Sequence, residues 1–130
     1  METSAEAKKQ VAFKLLDRTF NEGALSVIDE TCSKNIVVHN PRVPEDLKGI
    51  EAFKKFVKDF RWAFRDIHLH VDELHAEGDT VDAHTTFTAT NKAPFLGSPA
   101  TQKEVNTEPV FFFKFGPDGK VVEHWQEKMP

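Results

Sequence analysis

The sequence has no tyrosine and only one cysteine in 130 residues. Without tyrosine, no phenol can serve as an acid or as a hydrogen-bond donor to an oxyanion. The single cysteine, Cys32, excludes an intrachain disulfide and a zinc cluster built on several cysteines. Because Cys32 lies in a segment with helical character, we expect a small buried side chain there. The chemistry of the protein is therefore expected to use neither thiols nor phenols.

Long basic runs and long apolar runs are also missing. The 17 lysines and arginines are interspersed with 21 aspartates and glutamates, giving a net charge of -4. No stretch is basic enough to follow a phosphate backbone, so nucleic acid is not an expected partner. No window reaches the ~18 apolar residues of a membrane-spanning helix, and residues 1–6 lack the basic start and apolar run of a secretory signal. These absences predict a soluble, cytoplasmic protein with no membrane partner.

The sequence does contain enough apolar material for one core. Hydrophobic residues make up 39% of the chain and twelve residues are phenylalanines, so residues 1–130 are interpreted as a single domain. Apolar residues recur at helical spacing over residues 7–20 and 24–31. A third helix is predicted to begin at Gly49 and to close near Asp66, with phenylalanines at three- and four-residue steps along one face.

The rest of the chain has the patterns of β-strands. Strands are predicted over residues 35–39, 67–74, 81–91, 103–115 and 120–127. Their order with the helices predicts an α+β domain in which a curved, mostly antiparallel sheet wraps around the N-terminal helices and encloses a pocket. Residues 93–99 are too rich in proline for regular structure and too apolar for a solvated loop, so they are expected to form a lid. Phe95 and Leu96 in this lid are candidates for contact with an apolar ligand.

The order of four short motifs along the chain indicates a family resemblance. They are HNP at residues 39–41, AFRD at 63–66, PFLG at 94–97 and GKVVEHW at 119–125. With these motifs the chain resembles the SnoaL-like polyketide cyclases of the nuclear-transport-factor-2-like superfamily over nearly its whole length. The resemblance implies a cone-shaped α+β barrel with an internal pocket, and a homodimer formed through the outer face of the sheet. Members cyclise polyketides by aldol chemistry, isomerise steroids, open epoxides or bind ligands, and the fold alone does not decide among these activities.

The sequence departs from the family at two positions that matter for proton transfer. Where the resemblance implies a catalytic aspartate on the last strand, this chain has Gln126, and where relatives often have a histidine before the lid it has Asn91. Neither amide exchanges a proton at neutral pH. Chemistry of the steroid-isomerase kind is also disfavoured, because the position that needs a carboxylate at the entry of the sheet has His39 and Asn40, and because tyrosine is absent.

Histidine is the remaining residue type that titrates near neutral pH. Strand alternation places His124 on the same face as Gln126, and the resemblance turns that face inward. His124 is therefore the first candidate for an acid or base, with a structural histidine bonded to the sheet as the alternative. His39, expected at the mouth of the pocket, is the second catalytic candidate, although it could equally contact ligand or cap the turn.

Other candidate contacts are polar or aromatic, and no metal or cofactor is implied. Asn40, Asn91 and Gln126 are candidates for binding the polar part of a ligand. Trp62 is a further candidate, although an aromatic residue on this helix is more often part of the core. His68 and His70 form a His-x-His pair without a convincing third ligand, so no metal is predicted. No cofactor fingerprint or phosphate-binding glycine loop is present.

Two hypotheses about function remain open at this point. In the first, the protein is a cofactor-independent cyclase or isomerase that acts on a hydrophobic carbonyl substrate, with His124 as the base. In the second, it is a ligand-binding or dimeric interaction module that has lost the chemistry of the family at Gln126 and Asn91. The substrate or ligand itself is not predicted by the sequence.

Overall fold

The computed structural model describes residues 4–130. The first helix, α1 (Ala5–Leu16), begins at Ser4, whose side-chain oxygen accepts a hydrogen bond from the backbone N–H of Ala7 at 3.1 Å. The helix continues into a π-helical segment, Asp17–Asn21. The long helix predicted over residues 7–20 is therefore confirmed, with a wider final turn. No helix in residues 4–130 has the length and apolar character needed to cross a membrane.

Two more helices and seven strands complete the fold. The helices are α2 (Ser26–Thr31) and α3 (Ile50–Ala63). The strands are β1 (Cys32–His39), β2 (Leu47–Lys48), β3 (Phe64–Glu77), β4 (Thr80–Asn91), β5 (Glu104–Thr107), β6 (Val110–Phe115) and β7 (Val121–Glu127).

The strands form one curved sheet in the order β2-β1-β7-β6-β4-β3, with β5 also paired to β4. The pairing of β1 with β7 is parallel, and the other pairs within residues 4–130 are antiparallel. The predicted α+β class and mostly antiparallel sheet are thus confirmed. The sheet does not close on itself, because β2 and β3 remain as edge strands.

The structure differs from the sequence-based prediction at the end of the third helix. We expected the helix to continue to Asp66, but α3 ends at Ala63 and Phe64 already pairs with Asn91 in the sheet. Asp66 has a φ of 55° and lies where the register between β3 and β4 shifts. The position of Phe64 in the apolar pattern fits a helix and a strand equally. Pairing with β4 makes it the first residue of a strand.

Two further predictions about secondary structure were wrong in detail. The strand predicted over residues 103–115 is interrupted at Pro109, which has no N–H for a ladder and whose carbonyl accepts from both the N–H and the hydroxyl of Thr85. Cys32 begins β1 instead of lying in a helix. Its burial was expected, and that burial raises the pKa of its thiol to about 11, so the thiol is protonated at neutral pH.

Phenylalanine rings fill the space between the helices and the inner face of the sheet. Phe60 of α3 is fully buried and lies at the centre of this cluster. Its ring is 4.8–6.2 Å, centroid to centroid, from those of Phe20, Phe56, Phe64, Phe87 and Phe95. These contacts join both long helices, β3, β4 and the lid loop in one aromatic core.

We predict that Phe60→Ala lowers the free energy of unfolding by about 3–5 kcal/mol, because it removes a ring on which five others pack. Chemical denaturation followed by circular dichroism measures this change. Phe13→Ala is the matched control, since Phe13 is also helical but 45% exposed. Its effect should stay within about 1 kcal/mol. Equal losses in the two variants would contradict the assignment of Phe60 to the centre of the core.

Candidate functional site

A chain of buried polar side chains crosses the core between β1 and β7. The parallel register places Val38 opposite His124, which brings Asn40, just after β1, beside Gln126 on β7. His124 and Gln126 have no exposed surface, and Asn40 is 6% exposed. The sequence-based placement of His124 and Gln126 on the inner face is therefore correct, and Asn40 joins them.

The hydrogen bonds that link these buried polar side chains all have the same donor-to-acceptor direction. The backbone N–H of Arg42 donates to Asn40 Oδ1 at 2.8 Å, and Asn40 Nδ2 donates to Gln126 Oε1 at 2.9 Å. Gln126 Nε2 then faces His124 Nε2 at 3.4 Å, and His124 Nδ1 donates to the carbonyl of Phe112 at 3.1 Å. Since a carbonyl can only accept, Nδ1 carries the proton and Nε2 is the acceptor for the Gln126 amide.

His124 is surrounded by aromatic rings. The rings of Phe53, Phe111 and Phe113 lie 5.5, 5.8 and 4.6 Å from its own, measured between centroids. Burial lowers the pKa of His124 to about 4, against an opposing effect of the hydrogen bond to Phe112. The imidazole is therefore neutral at pH 7. A base with so low a pKa accepts protons poorly near neutrality, and Gln126 cannot exchange one at all.

Phenylalanine rings occupy the space directly around His124, where the pocket was expected. A cleft of about 260 Å³ opens instead at the edge of the fold, between the lid loop, β5 and the turn after β1. Its main apolar and polar lining residues are Phe64, Phe95, Val105, Arg42, Asn91 and Thr107. Thr107 Oγ1 is buried without a hydrogen-bond partner among the described residues. The cleft thus combines an apolar wall with a few polar groups.

Asn91 holds the lid loop in place. Its side-chain NH₂ donates to the carbonyl of Ala93 at 3.0 Å, and its Oδ1 accepts from the backbone N–H of Thr101 at 2.8 Å. The segment folds back on itself through paired hydrogen bonds of 2.9 Å between Phe95 and Ser98. Asn91, proposed from the sequence as a ligand contact, therefore lines the cleft while its amide is already engaged by the loop.

The two apolar residues of the lid have different environments. Phe95 is 7% exposed and packs edge-on against Phe56, Phe60 and Phe64, with centroids 5.4–5.7 Å apart. Leu96 is 42% exposed at the tip of the turn. Of the two predicted ligand contacts, only Phe95 lines the cleft. It does so as part of the core.

His39 lies on the outer face of the sheet and not at the mouth of a pocket. It alternates with buried Val38, and its ring stacks on Trp125 at 5.1 Å. Its Nδ1 is 2.9 Å from Asp46 and its Nε2 is 2.5 Å from Glu123. Partial burial opposes a charge on the ring, but the hydrogen bonds and charges of Glu123 and Asp46 outweigh it and raise the pKa of His39. The structure therefore separates His39 from His124.

Trp62 is also distant from the buried polar chain. It is 58% exposed on α3 and borders a different cleft, together with Gly23 and Arg65. The expectation that it belongs to the core was wrong, because Trp62 lies on the outward side of the helix between the inward positions Phe60 and Ala63.

Arg42 and Thr107 are among the residues of the cleft that sequence reasoning missed. Arg42 follows the HNP motif directly, and its guanidinium reaches Ser98 in the lid at 3.3 Å. The position of Arg42 directly after Asn40 and Pro41 could have indicated its role. A turn that follows a strand at the edge of a pocket places the next side chain at the rim of that pocket. Thr107 gave no comparable signal, since its phase depends on the break at Pro109.

Comparison with known proteins identifies the family. The sequence model of the SnoaL-like polyketide cyclases matches residues 10–127. The chain belongs to the SnoaL-like polyketide cyclase family. Its predicted membership is thereby confirmed. A comparison with functionally curated proteins gave no significant match.

Solved structures share the fold of this SnoaL-like protein. A candidate SnoaL-like polyketide cyclase from Jannaschia sp. CCS1 is 23% identical, with a TM-score of 0.87 over 98% of this chain and 90% of that one. TsrD from Streptomyces laurentii is 25% identical, with a TM-score of 0.84 over 98% and 91% of the two chains. AclR from Streptomyces galilaeus, described as a candidate hydroxylase, is 29% identical, with a TM-score of 0.79 over 97% and 91%.

We predict that burial of neutral His124 makes the SnoaL-like domain less stable as the pH falls from 6.5 to 4. In this range the unfolded chain binds a proton on this histidine and the folded chain does not, so protonation favours unfolding. The shift of the pKa to about 4 corresponds to a loss of about 3 kcal/mol. His124→Gln should remove that part of the pH dependence.

The measurement is the free energy of unfolding in urea at several pH values. His68→Gln is the control, because it replaces an exposed histidine on β3 and leaves the buried side chains unchanged. A profile of His124→Gln parallel to that of the original protein would show that His124 is not buried in its neutral form.

Proposed function

We propose that this protein is a small-molecule-binding member of the SnoaL-like family that does not use its interior for proton transfer. The observation that carries the proposal is the state of His124. It has no exposed surface, both ring nitrogens face hydrogen-bonding groups, and Gln126 stands where the family's acid or base is implied. Such a chain of fixed dipoles orients groups well but does not transfer protons.

The lining of the cleft indicates the class of ligand. Phe64, Phe95 and Val105 offer an apolar wall, and Arg42 and Thr107 offer polar groups beside it. A hydroxyl that is buried without a partner costs about 1–3 kcal/mol, so a ligand oxygen near Thr107 would relieve that cost. The volume of about 260 Å³ lies near the lower end of ligand pockets. We infer a hydrophobic molecule of one or two rings that carries a carbonyl or carboxylate.

A second candidate function is that of a cofactor-independent cyclase or isomerase, favoured by a specific feature of His124. Its Nε2 is held only by the long 3.4 Å bond from Gln126, so a lone pair remains available to a substrate that displaces the amide. Asn40 connects His124 and Gln126, the buried polar side chains on β7, to Arg42 at the cleft. Movement of the rings around His124 would be needed to admit a substrate. Polyketide cyclase names among the structural relatives are compatible with this candidate.

We also propose that the protein forms a homodimer through the outer face of its sheet. Phe112 is 41% exposed there and pairs across the sheet with Trp125, so two aromatic residues meet on a surface otherwise polar. A second copy of the chain would cover them in a symmetric interface.

The binding proposal predicts that a hydrophobic carbonyl compound stabilises the protein and is returned unchanged. A panel of aromatic polyketide-like compounds, steroids and simple cyclic ketones is screened by thermal unfolding, where a ligand at ~100 times its Kd adds about 2.7 kcal/mol. Mass spectrometry then follows each hit over time. Arg42→Gln should weaken binding about tenfold by removing a donor at the cleft, with Arg65→Gln on the other side of α3 as the control.

The possible results separate the two functions. A hit that is converted, with conversion lost in His124→Gln, would replace the binding proposal with the enzyme. Binding that Arg42→Gln leaves unchanged would place the ligand outside the cleft. The absence of any hit would count against both candidates and favour an interaction module.

The dimer proposal predicts a mass of twice that of the chain in light scattering after size exclusion. Phe112→Lys should shift the mass to that of one chain, because it places a charge at the centre of the apolar patch. Phe13→Lys, which changes an exposed phenylalanine on α1, is the control and should leave the dimer intact. A monomer in the unmodified protein at all concentrations tested would refute the proposal.

A further inference from the structure

The outer face of the β3–β4 hairpin brings together three side chains that neither the cleft nor the buried polar chain uses. His75 lies on β3, and Asp82 and His84 lie on β4. One ligand atom from each of the three, two imidazole nitrogens and a carboxylate oxygen, lies within 4.8 Å of the other two. Nitrogen and oxygen donors at this spacing are suited to a divalent transition-metal ion.

The register of the hairpin fixes this arrangement. His75 is directly opposite Asp82, and the next pair along the same face joins Glu73 to His84. All four side chains therefore project from neighbouring positions of two paired strands. Because the hydrogen-bonded ladder continues to the turn at residues 78–79, the backbone beneath the cluster is held in place.

The present contacts of the cluster leave its side chains free to rearrange. His84 Nε2 is 3.1 Å from Asp82 Oδ2, and His75 Nε2 is 3.2 Å from Glu73 Oε2. The two imidazole rings are 5.9 Å apart between centroids. The His75 and His84 side chains are 60% and 49% exposed, so a change of rotamer disturbs no core packing.

The distances are compatible with tetrahedral coordination after a small closure. With Zn–N and Zn–O bonds of about 2.0–2.1 Å, neighbouring ligand atoms are separated by roughly 3.3 Å. The observed limit of 4.8 Å therefore requires movements of about 1.5 Å or less at the tips of exposed side chains. The two carboxylates of Asp82 and Glu73 also bring negative charge that complements a dication.

We propose that His75, Asp82 and His84 form a binding site for a zinc-type divalent ion, with Glu73 or water as the fourth ligand. The two imidazoles favour Zn²⁺, Cu²⁺ or Ni²⁺ over Mg²⁺ and Ca²⁺, which prefer sites composed of oxygen. The site lies outside the cleft and adjoins the face proposed for the dimer, because Asp82 pairs with Phe112 across the β4–β6 ladder. The sequence-based prediction of no metal considered His68 and His70, which face Thr88 and Thr86 across the ladder, whereas the three-ligand group found among residues 4–130 is the one at His75.

Isothermal titration of the untagged full chain with ZnCl₂ at pH 7.5 tests the proposal. We expect one ion per chain with a micromolar Kd. His84→Gln and His75→Gln should each weaken binding by at least about tenfold, since each removes a ligand. His70→Gln is the matched control, because His70 is an exposed histidine on β3 that bonds to Asp72 outside the cluster. Its affinity should stay within about twofold of the original.

Cobalt substitution provides a readout of the geometry itself. Co²⁺ bound by two imidazoles and a carboxylate in a tetrahedral site should give intense visible absorption bands that His84→Gln abolishes and His70→Gln retains. Circular dichroism confirms that each variant is folded. The proposal is overturned if Zn²⁺ shows no saturable binding below millimolar concentrations, if His84→Gln binds as tightly as the original, or if His70→Gln loses as much affinity as His84→Gln.

Discussion

The parallel pairing of β1 with β7 is the contact on which the rest of the interior depends. It joins a strand from the first third of the chain to the last strand, and its register places Asn40 beside Gln126. The buried chain of hydrogen bonds from Arg42 to Phe112 exists only because these two strands are neighbours. A shift of one residue would turn His124 and Gln126 outward, since side chains alternate along a strand. Fold and site are therefore fixed by the same pairing.

The aromatic core around this chain determines its chemistry. Phe53, Phe111 and Phe113 exclude water from His124, and the resulting burial lowers its pKa to about 4. The same rings that stabilise the fold thus keep the imidazole neutral and inaccessible. On the outer face, His39 lies between two carboxylates and its pKa is raised. The two histidines that the sequence suggested as catalytic candidates therefore differ in the direction of their pKa shifts, in their exposure and in the face of the sheet on which they lie.

Sequence reasoning predicted what depends on local patterns and missed what depends on packing between elements. Strand alternation correctly turned His124 and Gln126 inward, and proline content correctly marked residues 93–99 as lacking regular structure. The pattern could not show that phenylalanine rings would fill the expected pocket, because ring positions depend on how α3 lies on the sheet. The grouping of His75 with Asp82 and His84 was missed because it becomes visible only when β3 and β4 are paired across the turn at residues 78–79, which puts His75 opposite Asp82.

The packing around His124 bears on whether the interior can act on a substrate. Access to His124 requires displacement of the rings that surround it, those of Phe53, Phe111 and Phe113. Exposing one buried phenylalanine costs about 1.5–3 kcal/mol, which keeps the open form at roughly 0.5–8% of molecules. A substrate that binds only the open form then has an apparent affinity reduced by that fraction, whereas a ligand of the cleft meets no such barrier. A substrate of His124 would therefore have to stabilise the open arrangement through its own contacts, a requirement that a ligand of the cleft does not have.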